Sequence, residues 1–207
     1  MKFRWIIGGG DYLDQIFHAC QQAYPDEQIE PVLVSQTEAD EFDLSVLNTL
    51  SPAIGTAFVA VDERFGNFKR MELMQAVIER GLKLDPLICD HASVAADAVI
   101  GMNVFVAPNV VIGHGCRIDF NTVIHAGTTI SPQTRIKSSC WLESGVQLGK
   151  GVEIGAHSTL RTGAIVAPHI KIGRHCELGW PQRYDQDVAD RTTFDPRYDA
   201  PIYIYGS

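Results

Sequence analysis

The chain has 207 residues, 45% of them hydrophobic and 20% charged, and a net charge of −8 at pH 7. That balance describes an ordinary globular protein able to bury a substantial core. An acidic chain with no basic stripe makes nucleic acid a poor partner. Met1 to Gly10 is too short and too soon interrupted for a signal peptide, and no run approaches the ~20 apolar residues of a membrane span. Five cysteines without a CxxC pair argue against a disulfide framework. The expected location is therefore the cytoplasm, without membrane insertion.

In chain order, Lys2 to Ile7 reads as a strand running into Gly8-Gly9-Gly10. Asp11 to Ala23 has helical spacing in Tyr12, Ile16, Phe17 and Cys20. Strands are expected over Glu30–Val34 and Gly55–Val61, a helix over Asn67–Gly81 capped by its glycine, and one more strand over Leu82–Cys89. Strand, glycine turn, helix, strand is a βαβ pattern, so residues 1–85 predict a small α/β Rossmann-like domain. The triple glycine has two readings: a phosphate held by N–H groups at a helix N-terminus, or a tight turn that needs glycine for conformational reasons. A full GxGxxG is absent, since Leu13 stands where the last glycine would, and Asp11 puts a negative charge where a phosphate would sit.

From Val94 every sixth residue to Leu178 is Ile, Val or Leu, fifteen in all. Four residues after each of the first fourteen comes something small or apolar, among them Cys116, Thr122, Thr128, Cys140, Ser158, Ala164 and Cys176. A helix wants an apolar residue every three to four positions and a plain strand every second one. A strict six is the period of a hexapeptide β-helix, a solenoid of stacked coils. Residues 86–179 are thus expected to form a parallel β-helix. The cysteines at the small position have packing as their job. The tail 180–207 is aromatic and acidic, and Ile202-Tyr203-Ile204-Tyr205 alternates like a short strand. It is expected to fold back on the assembled protein and cap the solenoid's open end.

The plan resembles the NeuD/PglD-type sugar acyltransferases, most closely in the stretch from Ala57 through the AFVAVDERFGNFKRMELMQAVIERGLKLDPLICDHASVAADAVIG run. The resemblance implies a left-handed β-helix, a homotrimer, acetyl-CoA as acyl donor, and an amine or hydroxyl of a sugar, often nucleotide-linked, as acceptor. It places the first glycine turn near the acceptor, which here means Gly9, Gly10, Asp11 and Tyr12. It places the donor near Gly163, Ala164 and the Gly-x-Pro frame of Gly179 and Pro181.

Two departures stand out. The family's base histidine lies in a segment of the type NTGAVVEHDC, whose ungapped counterpart is HAGTTISPQT, so Pro132 occupies the histidine's place. The histidine that follows the family's first glycine turn is replaced by Asp11 or Tyr12. Acyl transfer needs a base close to the attacking atom. With three hexapeptides per coil, residues 18 apart stack about 4.8 Å apart, which puts His125 over Glu143 and Arg161. Glu143 beside His125 would orient its ring and raise its pKa; the bland alternative is a charge ladder that stabilises the sheet. His114 is the runner-up, one coil early and stacked on Pro132. His157 and His175 share a column with Asn121 and Ser139, but two histidines do not make a metal site, and no metal is expected. Two functions follow: an acyl-CoA-dependent acyltransferase with His125 as base and Glu143 beside it, or a catalytically silent trimer that scaffolds a partner. A third, a carbonic-anhydrase-like metalloenzyme, would need three histidines converging across subunits.

Overall fold

The computed structural model describes residues 2–36, 41–62 and 67–204. Its first part is a four-stranded parallel sheet formed by β1 (Phe3–Gly8), β2 (Gln28–Leu33), β3 (Gly55–Ala60) and β4 (Lys83–Leu84), in the order β2-β1-β3-β4. Helix α1 (Gly10–Ala23) joins β1 to β2, and α2 (Phe68–Glu79) follows β3. The period of two along the strands separates two cores. Ile6, Phe58 and Ala60 point one way, into a core with Leu13, Ile16 and Cys20 of α1 and with the solenoid. Trp5, Ile7, Ala57 and Val59 point the other way, against Leu73, Met74 and Val77 of α2.

The triple glycine is explained by backbone needs. Gly8 faces Ala60 across the β1–β3 pair, where an added Cβ would collide with the Ala60 carbonyl oxygen. Gly10 sits at φ +64°, the left-handed region that glycine enters freely.

The six-residue repeat forms a prism of two-residue strands in three sheets, and the strands of the repeat pair parallel. Pairing runs at a step of 18, as in Val123↔Trp141↔Thr159↔Glu177. This fits the parallel β-helix that the period predicts, with the left hand that the resemblance implies. Val106 to Leu178, thirteen of the fifteen repeat residues, are at most 3% exposed. Val94 and Ile100, in the outermost coil, are only partly buried. The residues four further on are small because they turn into the narrow corners. There their hydroxyls and thiols donate to carbonyls of the next coil, as in Thr122 to Lys137 O, Cys140 to Gly155 O and Ser158 to Gly173 O. All five cysteines are buried and unbridged, and burial pushes the Cys140 thiol up to about 12.

Two boundaries differ from expectation. The strand expected over Leu82–Cys89 is two strands, Lys83–Leu84 in the first sheet and Leu87–Ile88 in the solenoid, parted at Asp85-Pro86. Pro86 lacks the N–H to continue a ladder. Ile88 is six before Val94, so the repeat begins one hexapeptide early. It also runs on: Tyr184, six after Leu178, is 4% exposed, and its strand pairs with Ile165–Val166. The tail builds a further coil, in which Trp180 and Tyr184 meet Phe194 edge-on at 5.1 and 5.0 Å. Thr192–Phe194 then pairs antiparallel with Ile202–Tyr203, closing that sheet's end; Tyr205, the last residue of the alternating run, lies outside the described residues. Among the described residues no helix is long and apolar enough to cross a membrane.

Candidate active site

The site lies where α1 and the end of β3 meet the solenoid, and a buried arginine holds them there. Arg70 of α2 is wholly buried. It donates to the carbonyls of Val59 at 3.1 Å, Asn121 at 2.8 Å and Asn103 at 2.9 Å. Asn103 returns the tie by accepting from the Val59 N–H at 2.7 Å. Asn103, Asn121 and Ser139 stack at one turn per coil, linked through side chains at 3.1 Å. Each has φ between 55° and 61°, a conformation that asparagine tolerates better than most residues.

Beside this seat, Tyr12 and Gln15 of α1, Asp62 just past β3, and His125, Trp141, Glu143, Ser144 and Thr162 of the solenoid line a cavity of about 280 Å³. Trp141, only 2% exposed, forms its wall. The Tyr12 ring packs on it at 5.9 Å and the His125 ring at 5.0 Å. Tyr12 is 6% exposed, and its hydroxyl has no hydrogen-bond partner among the described residues. Burial drives its pKa upward against the pull of the Arg70 charge, so the phenol is neutral.

Glu143 does lie one coil above His125, since the His125 N–H donates to Leu142 O and the Glu143 N–H to Leu160 O. The expected carboxylate–imidazole pair does not form. One Glu143 oxygen accepts from Arg161 at 2.9 Å, and the other from the Thr162 N–H at 3.0 Å and its hydroxyl at 2.8 Å. Partial burial works to raise the Glu143 pKa, but the bonds from Thr162 and Arg161 outweigh it and hold the carboxyl below its ordinary value. Arg161 also grips Glu177 at 2.6 and 2.8 Å. The ladder reading was right for Glu143 and Arg161; His125 is held instead against the indole.

Glu143 and Thr162 also line a second, larger groove of about 620 Å³ with Arg161, Glu177, Gly179, Pro181, Asp195, Pro196 and Arg197. The two spaces therefore share a wall. Gly163, at φ +72°, is exposed with open space where a Cβ would sit. Ala164 is fully buried, its methyl in the solenoid core, so its side chain is out of a donor's reach. Of Gly9, Gly10, Asp11 and Tyr12, only Tyr12 lines the cavity.

His114 stands apart, its side chain 82% exposed and bound to Asp97 at 3.1 Å. Pro132 sits in a turn packed against Gly113 and does not line the cavity. His157 and His175 stack at 5.1 Å with Phe68 against them. Both are left-handed turn residues, like His91 and His169, which accounts for histidine at those positions. No group of three or more His, Cys, Asp or Glu that could hold a metal occurs among the described residues.

Sequence reasoning missed Trp141, Ser144, Thr162, Gln15 and Asp62. A step of 18 from Val123 reaches Trp141, and the column beside His125 runs Ala126, Ser144, Thr162, so the first three were within reach. Asp62 follows the carboxyl end of a parallel strand, where such sheets bind ligands.

Comparison with known proteins comes down to the repeat and the fold. The family model described as bacterial transferase hexapeptide (six repeats) matches residues 97–132. No curated protein matches the chain by sequence. Among solved structures, the chain is similar to PerB from Caulobacter crescentus in complex with CoA and GDP-perosamine, at 24% identity and a TM-score of 0.78 over 93% of each chain. It is similar as well to the acetyltransferase domain of PglB from Neisseria gonorrhoeae in complex with acetyl coenzyme A, at 20% identity and a TM-score of 0.68 over 98% of this chain and 100% of that one. The chain thus contains a bacterial transferase hexapeptide segment and shares the fold of two acetyltransferase structures along nearly its whole length.

Proposed function

We propose that the protein is an acyltransferase that moves an acetyl group from acetyl-CoA to an amine or hydroxyl of a sugar, the sugar carried on a nucleotide. The observation that carries this reading is the pair of adjoining spaces: a cavity with His125 on its wall, and a larger groove continuing from Glu143 and Thr162 to Gly179 and Pro181. Two substrates that must meet need such a junction. The fold shared with PerB and the PglB domain supports the choice of donor and acceptor class.

The residues present suit that donor. The groove offers the Arg161 and Arg197 side chains, the Pro181 rim and, beside it, the uncrowded Gly163 backbone. Acetyl-CoA supplies an activated thioester. The chain's part is to hold the acceptor in the cavity and take its proton: His125 accepts the proton from the attacking amine or hydroxyl as the new bond to the acyl carbon forms, the carbon–sulfur bond breaks, and that same proton passes on to the thiolate that leaves. Trp141 fixes the imidazole plane for this step. Glu143 serves as a wall post bound to Arg161 and Thr162. We place the enzyme in the cytoplasm as a homotrimer, in keeping with the plan that it resembles.

The test is thiol release from acetyl-CoA with a panel of UDP- and GDP-linked amino hexoses, on wild type and His125→Ala. Loss of a general base costs on the order of 10²–10⁴-fold, so His125→Ala should fall at least about 100-fold in kcat. Equal rates would remove His125 from the mechanism. A wild type that neither binds acetyl-CoA nor turns over any acceptor would favour the silent scaffold.

A further inference from the structure

The hydroxyl of Tyr12, a residue that lines the cavity, is buried without a hydrogen-bond partner among the described residues. Tyr12 lies on the first turn of α1, on the helix face that also buries Leu13 and Ile16. Its ring is clamped against Trp141, and only 6% of the residue is exposed. A buried hydroxyl nearly always has a hydrogen-bond partner, yet this one has none among the described residues. A phenylalanine would fill the same space against the indole without that cost. Tyr12 lines the cavity, so a molecule bound there is the candidate partner for that atom.

We propose that Tyr12 determines acceptor specificity, donating a hydrogen bond to an oxygen that the acceptor carries close to its reacting group, such as a sugar hydroxyl or ring oxygen. This rests on the acyltransferase reading above. The direction of the bond follows from the lining. Asp62 and Glu143 bring carboxylates to the lining, and carboxylate oxygens only accept. The neutral phenol supplies a donor for a ligand oxygen. Among the described residues that line this space none is Lys or Arg, which suits a part of the acceptor that is uncharged or cationic. A volume of about 280 Å³ holds one sugar ring rather than a whole nucleotide sugar.

The experiment is Tyr12→Phe, with two readouts. The first is thermal unfolding of the ligand-free protein: with no internal partner to lose, the variant should melt at the wild-type temperature or above it. The second uses the fastest acceptor from the amino-hexose panel together with its singly deoxygenated analogues. Tyr12→Phe should lower kcat/KM for the intact acceptor about tenfold, mainly through KM, which is the usual net worth of one neutral hydrogen bond. For the analogue lacking the oxygen that Tyr12 reads, wild type and variant should coincide. A drop of several degrees in melting temperature would show an internal partner and overturn the proposal. So would equal rates on the intact acceptor, or the same ratio of rates on every analogue. A wild type without turnover on any acceptor would instead sink the acyltransferase reading itself, a different result from turnover that Tyr12→Phe leaves untouched.

Discussion

Replacing Arg70 by alanine should cost about 4 kcal/mol of stability and release α2 from the solenoid. The side chain spans three segments far apart in sequence: the end of β3 through Val59 O, and two successive coils through Asn103 O and Asn121 O. Burial pulls its pKa down to about 10, which still leaves the guanidinium charged at neutral pH. Hydrogen bonds to a charged group are worth roughly 1.5–3 kcal/mol each, but taking the charge out of water costs several kcal/mol, so the net gain from the intact arrangement is small. Removal is another matter. Three carbonyls in a dry seam lose a donor, at roughly 1–3 kcal/mol apiece when nothing replaces it, and Asn67, donating to Asn121 O at 3.5 Å, covers one of them poorly. Arg70→Met restores volume without donors and should recover no more than about 1 kcal/mol of the loss. Urea unfolding followed by circular dichroism measures the difference, and hydrogen exchange should localise it to α2. A loss below about 1 kcal/mol for Arg70→Ala, or full recovery by methionine, would show that packing and not hydrogen bonding joins the two parts.

Two further outcomes test the site and its support. Glu143 is held below its ordinary pKa of 4.5 in the folded protein, so as the pH falls the unfolded chain binds its proton first. The stability from this group is therefore complete above that ordinary value and drains away as the pH drops from 4.5 through the lower folded value. Melting temperatures between about pH 3 and 6 should show a shallower acid limb for Glu143→Gln than for wild type, and superimposable limbs would mean that the Arg161–Thr162 grip contributes nothing. Gly8→Ala should damage the fold by about 3 kcal/mol or more, since its Cβ meets a backbone oxygen that cannot move aside. Gly10→Ala should cost only about 1–2 kcal/mol for its left-handed backbone, and a reversed order in denaturation would refute this account of the turn.

The repeat was legible because its period is enforced by the core. Every sixth side chain must fill a corridor three strands wide, and from Val106 onward the prediction meets residues at most 3% exposed. The ends were less legible for a related reason. Ile88 fits the Ile/Val/Leu template but sits beside Asp85-Pro86, inside a stretch that reads as one strand of the first part, and Tyr184 continues the period with an aromatic ring that the template does not admit. The turn chemistry was also written in the chain and passed over. The residue three after each repeat position is repeatedly Asn, Gly, Ser or His, and from Asn103 to His175 these residues take positive φ. Seen that way, four of the seven histidines belong to turns, which leaves His125 as the one of the remaining three that reaches the cavity. The choice of Glu143 as its partner failed because spacing fixes backbone neighbours only. Side chains choose among all donors in reach, and Arg161 with Thr162 take both oxygens of the Glu143 carboxylate.

That failure changes where the site's precision comes from. An imidazole oriented by Glu143 would owe its geometry to the solenoid alone. Here the ring lies on Trp141, and the same indole carries Tyr12 from a different part of the chain. The proposed base and the group proposed to read the acceptor thus pack on one buried side chain, so their spacing depends on α1 staying seated on the coils. The seat depends on the shared core of Ile16, Phe58 and Phe105 and on the Arg70 ties beside it. The hexapeptide repeat supplies a rigid column, as it would for any function. What makes this corner chemical is that the first sheet delivers Tyr12, Gln15 and Asp62 to the column at the coil that carries His125 and Trp141.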